Sequence, residues 1–175
     1  MSERAMSISK LLREIINEVG YLQNIQPLPY DLEKGTFTIP HKGIDYRGKV
    51  LFTFFNKQGL GMVQFPPVVN LSNFETGYNI GYSIEGISSQ FIRGDIKLLL
   101  TVLKTVSILV ADFIKKHPNS MYLIFAENKM GIGMEDSQKL SLYKQILGKS
   151  LPQGFRIGEM GIEGIVQGLF ICKIK

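Results

Sequence analysis

The chain has 175 residues, of which 45% are hydrophobic and 20% charged, and it contains one cysteine, Cys172. That length can bury a core of its own, the composition excludes a largely disordered chain, and a lone cysteine excludes an intrachain disulfide. The formal charge of +5 is compatible with a polyanionic partner, but the lysines and arginines are scattered and single out no patch.

Met1 to Leu11 lacks the apolar core of a secretory signal, and a reducing, cytoplasmic setting is expected. Ser9 to Val19 sets Leu11, Leu12, Ile15, Ile16 and Val19 at helical spacing, which predicts an N-terminal amphipathic helix ending at Gly20. That helix docks either on its own domain or on a neighbouring protomer. Gln26-Pro27-Leu28-Pro29 follows as an extended connector, so residues 1–29 form a helix and a proline link.

Thr36 to Ile39 alternates as a strand. Val50 to Phe55 and Met62 to Phe65 read as an antiparallel hairpin turned at Asn56 to Gly59 and ended by Pro66-Pro67. Tyr78, Ile80, Tyr82 and Ile84 alternate with Asn79, Gly81, Ser83 and Glu85, a strand with one apolar and one small polar face. Asp95 is placed to cap a helix whose Ile96, Leu99, Leu103, Val106, Val110 and Phe113 recur every three or four residues. Leu98, Val102 and Leu109 widen the stripe, so most of that helix should be buried. Lys97, Lys104 and Asp112 within it argue against a membrane span.

Met121 to Ala126 is apolar throughout, as a central strand covered on both faces would be. A loop from Glu127 to Met134 leads to a helix capped by Asp136, with Leu140, Tyr143 and Ile146 on one side. Phe155 to Met160 and Leu169 to Ile174 read as a closing strand pair. The whole chain, 1–175, is expected to form a single α+β domain. His117 and Lys115-Lys116 fall at the end of the long helix and His41 in a turn, and neither histidine has an acidic or cysteine partner at ligand spacing. No metal site, nucleophile elbow or phosphate loop is expected. The aromatics fall mostly in strands, so the linear order presents no stacking platform.

From Tyr78 to Lys175 the element order resembles the GNAT acyltransferase superfamily. There a strand leads through an Arg/Gln-x-x-Gly-x-Gly/Ala turn into a long helix. A parallel strand, an Asn-bearing loop, a helix with Leu-Tyr and a Gly-Phe opening the last strands follow. The matching residues are Tyr78 to Ile84, Arg93-Gly94, Asn128, Leu142-Tyr143 and Gly154-Phe155. The resemblance implies a mixed, mostly antiparallel sheet with helices packed on it. It implies acetyl-CoA as cofactor, with Arg93, Gly94 and Asn128 beside it and Tyr143 as the acid that reprotonates the thiolate. The departure is in the turn. Counted from Arg93, Ile96 and Leu98 stand where the family has glycines that let backbone N–H groups approach a pyrophosphate.

A looser resemblance, through Gly94-Asp95, Thr101-Val102, Thr105-Val106, Phe125-Ala126 and Leu142-Tyr143, is to small proteins of tailed bacteriophages. The expectation is a GNAT-like binding or assembly protein without cofactor, phage-encoded and located in host cytoplasm or virion. Its partner would be a protein, a second copy included. The alternatives are an acetyl-CoA-dependent N-acyltransferase and a nucleic-acid-binding accessory protein.

Overall fold

The computed structural model describes residues 24–55, 74, 76–86, 96–125, 136–162 and 165–174. The expected N-terminal helix, Met62 to Phe65, Arg93, Gly94, Asp95 and Asn128 lie outside them.

Two short strands, β1 (Tyr30–Asp31) and β2 (Thr36–His41), begin the sheet, and β3 (Ile44–Phe55) and β4 (Thr76–Ile84) extend it. Helix α1 (Ile96–Lys116) then leads to β5 (Ser120–Phe125), and helix α2 (Asp136–Ser150) to the pair β6 (Phe155–Ile162) and β7 (Ile165–Lys173). The seven strands lie in the order β1-β2-β3-β4-β5-β7-β6. Every neighbouring pair is antiparallel except β4 and β5, which are parallel and joined by α1. The architecture is α+β with a mostly antiparallel sheet, and β5 is interior, as its apolar run predicts.

The strand β3 starts six residues before the predicted Val50. His41 belongs to β2 and pairs with Ile44, while Lys42 (φ 50°) and Gly43 (φ 77°) make the tight turn between them. Positive φ at both positions suits a primed two-residue hairpin turn. The sequence conceals this because Lys rather than Asn or Asp holds the first position. Gly48 is needed for a different reason: Phe37 of β2 lies over it, and a Cβ there would meet the ring at 2.2 Å.

Both helices pack on one face of the sheet. Val102, Val106, Val110 and Ile114 of α1 meet Phe37, Ile39, Val50, Ile80, Tyr122 and Ile124. Another side of α1 carries Leu99, Leu100 and Leu103 against Ile25 and against Leu142 and Ile146 of α2. The connector is tied down as well, since the Leu28 N–H donates to Thr105 Oγ1 at 2.9 Å. The Thr105 hydroxyl in turn donates to the Thr101 carbonyl at 2.8 Å. Sheet, α2 and connector together explain why α1 is apolar around most of its circumference.

The reverse face of the sheet divides at the β4–β5 boundary. Met121 and Leu123 of β5, Met160 of β6 and Phe170 and Cys172 of β7 are buried there. Across the boundary Lys49, Leu51, Gly81 and Ser83 are exposed. No helix among the described residues is long and apolar enough to cross a membrane.

Candidate functional site

The parallel pair β4–β5 covers less than half of β4. Thr76 to Asn79 pair with Ser120 to Leu123, and the register stops there. Strand β4 runs on to Ile84 beside β3, while β5 runs on to Phe125 beside β7. The closed end is fastened by side chains as well as backbone, with Thr76 Oγ1 and Ser120 Oγ 2.6 Å apart. Past Asn79 and Leu123 the two strands no longer pair.

A cavity of about 50 Å³ lies at this opening on the helical side. Ile80, Gly81 and Tyr82 of β4 and Ile124 of β5 line it from the sheet. Leu103, Val106 and Val110 of α1 and Tyr143, Ile146 and Leu147 of α2 close it from above. The space could admit water-sized or small alkyl groups, but its walls offer a water few polar partners.

Its polar groups are two phenols. The hydroxyls of Tyr82 and Tyr143 are hydrogen bonded to each other. Burial raises the pKa of both, that of Tyr82 well above the ordinary phenol value, and the neighbouring Tyr143 raises it further. Both are neutral at physiological pH, so Tyr143 can in principle give a proton and cannot readily accept one. Among the described residues the cavity wall contains no carboxylate, imidazole or amine. It can seat an apolar group and offer a hydroxyl; none of its described residues is a base that could deprotonate an amine.

Of the residues singled out in the sequence, Tyr143 lies on α2 and lines this cavity. Arg93, Gly94 and Asn128 are outside the described residues. Ile96 opens α1 and Leu98 packs against the main core, so the two positions where the resemblance calls for glycine fall in a regular first turn of helix. No group of metal-ligating side chains occurs among the described residues.

Tyr82 is the residue that sequence reasoning missed as a partner of Tyr143. It was legible only as one more apolar position in an alternating strand, and nothing in the linear order pairs residue 82 with residue 143. Comparison with protein-family models, curated proteins and solved structures finds no match to this chain.

Proposed function

We propose that the chain is a binding or assembly protein on a GNAT-like fold and does not transfer acyl groups. The observation that carries this reading is the chemistry of the opening between β4 and β5. Among the described residues its walls are apolar, its two hydroxyls are bonded to each other, and no base faces it. The GNAT-like part rests on element order: a strand, a long helix, a parallel strand, a helix bearing Leu142-Tyr143, and a closing pair entered through Gly154-Phe155. Leu98 supports the loss of cofactor binding, because a packed leucine in the first helical turn obstructs close approach of a pyrophosphate.

Calorimetry with acetyl-CoA tests it. The expected result is no heat of binding at millimolar ligand, a free energy weaker than about 4 kcal/mol. A micromolar dissociation constant would overturn the reading in favour of the alternative, an acetyl-CoA-dependent N-acyltransferase. One observation favours that alternative: Tyr143 lines the opening, as the resemblance implies for the proton donor. In that case Tyr143→Phe should lower turnover and leave acetyl-CoA affinity unchanged.

A further inference from the structure

A second hollow, of about 500 Å³, lies farther along α1, where β3 runs on past the first residue of β2. The turn made by Leu32, Glu33, Lys34 and Gly35 borders it on one side, and the end of α1 with Phe113 and His117 on the other. Its size falls within the range of ligand sites.

The sheet is open along this groove. Strand β3 pairs with β2 as far as Lys49, opposite Thr36, and one further bond, from the Val50 N–H to the Gly35 carbonyl at 2.9 Å, closes that ladder. On its other side β3 pairs with β4 as far as Phe55, opposite Gly77. Among the described residues, 51–55 therefore have a strand on one side alone. The backbone groups of successive residues in a strand point to alternate sides. Those of Phe52 and Phe54 turn the same way as the Val50 N–H, toward the groove, and no described strand takes them up. Proteins blunt such edges with proline, charge or a bulge. Leu51, Phe52, Thr53, Phe54 and Phe55 include no proline and no charge, and their register with β4 is unbroken.

Apolar side chains flank this edge. On the helical face Phe52 stacks on Phe113 with centroids 3.7 Å apart, and Phe113 stacks on His117 at 4.1 Å. Tyr78 meets Phe113 at 5.1 Å, and Phe54 packs edge-on to Tyr78 at 6.0 Å yet remains 59% exposed. Leu51, on the opposite face of β3, and Leu32, in the bordering turn, are exposed as well. The rim answers its own charges: Lys116 is paired with Asp112 at 2.7 Å and Lys34 with Asp31 at 3.3 Å. What is left unmatched is backbone and apolar surface, so a partner needs no net charge.

We propose that the edge of β3 at residues 51–55 takes an extended peptide segment of a partner protein as an added strand, lying in the groove in line with β2. The peptide backbone bonds to the free N–H and carbonyl groups of Phe52 and Phe54, and every second side chain rests beside those two rings. Strand addition of this kind takes its affinity from main-chain hydrogen bonds and its specificity from alternate side chains. The inference rests on the reading of the chain as a binding protein and gives that reading a partner. It uses no residue that lines the β4–β5 cavity, so acetyl-CoA binding and peptide binding can fail separately.

Fluorescence anisotropy of the full chain tests it, with a labelled peptide of alternating valine and threonine that carries a lysine at each end. Saturable binding at submillimolar protein is expected. Methylating the backbone nitrogens of the valines alone, or of the threonines alone, blocks one edge of the peptide each time. One of these two peptides should lose binding and the other should stay within about three-fold of the parent. Phe54→Ala shortens an exposed side chain and keeps the backbone donor. Phe54→Pro removes that donor as well, at an edge position that tolerates proline, and should bind about ten-fold more weakly than Phe54→Ala. Thermal melts check that both variants fold, and the methylated peptides decide the matter without any variant. No binding at millimolar protein would overturn the proposal. So would equal affinity of the two methylated peptides, or of folded Phe54→Pro and Phe54→Ala. A chain that is dimeric by light scattering and becomes monomeric in Phe54→Pro would also overturn it, by giving the edge to a second copy.

Discussion

The cavity between β4 and β5 and the groove beside β3 draw on neighbouring turns of α1, Leu103 to Val110 for one and Leu109 to His117 for the other. They treat their polar and aromatic groups in opposite ways. In the cavity two tyrosine hydroxyls satisfy each other and the remaining wall is aliphatic. In the groove the rings of Phe52, Phe113 and His117 stack on one another, and lysine–carboxylate pairs stand along the rim. The lesson is that one helix can border two hollows of different character: the aliphatic one is satisfied by a single hydroxyl pair, the other by ring stacking and ion pairs.

The largest expected effect separates the two directly. Ile124 is buried against α1, and truncating it enlarges a space that is already partly empty. Ile124→Ala should destabilise the chain by about 3 kcal/mol, measured by urea denaturation. A loss below about 1 kcal/mol would mean that the opening relaxes to fill itself and is not a rigid part of the core.

Next in size is the tyrosine pair. Tyr82→Phe removes one of the two hydroxyls and leaves that of Tyr143 without its partner in an apolar wall, which should cost about 1–2 kcal/mol. Replacing both by phenylalanine should recover part of that loss, because no buried hydroxyl is then left unmatched. Additive losses in the two single variants and the double variant would show that the hydroxyls act independently.

The same pair sets an alkaline limit. Both phenols have pKa values raised above their ordinary 10.0, so the folded chain holds these protons more tightly than the unfolded chain does. Their contribution is complete below about pH 10 and is lost as pH rises from there through the folded values. Denaturant midpoints measured from pH 8 upward should fall on the alkaline side. The fall should be shallower in the double phenylalanine variant, with Tyr122, whose pKa burial also raises, supplying part of what remains. A midpoint that holds steady above pH 10 would contradict the buried pair.

The smallest effect belongs to the exposed residues of β3. Phe54→Ala and Lys49→Glu change exposed positions and should alter stability by no more than about 0.5 kcal/mol. A larger loss in Phe54→Ala would show that its edge-on contact with Tyr78 supports the fold.

Much of the framework was legible along the chain. The 3.6-residue stripe of α1, the alternation of β4 and the unbroken apolar run of β5 each state which faces are covered, and the contacts follow those statements. Less was legible where one residue serves two purposes. The first half of β3 reads weakly because Gly48 is there to admit the Phe37 ring, not to promote a strand. Lys42 likewise hides a hairpin turn that Asn would have announced.

What the sequence determined by itself was local: periodicities, stops and the balance of apolar and charged residues, all set by interactions among near neighbours in the chain. The tertiary structure decided which residues meet. Tyr82 finds Tyr143 only because β4 and β5 diverge beneath α2. Phe52, Phe54, Tyr78, Phe113 and His117 form one cluster only because β3, β4 and the end of α1 converge. Such meetings arise from strand order and from the packing of helices on a sheet. Both depend on the whole core being buried at once, and no segment of the chain specifies them alone.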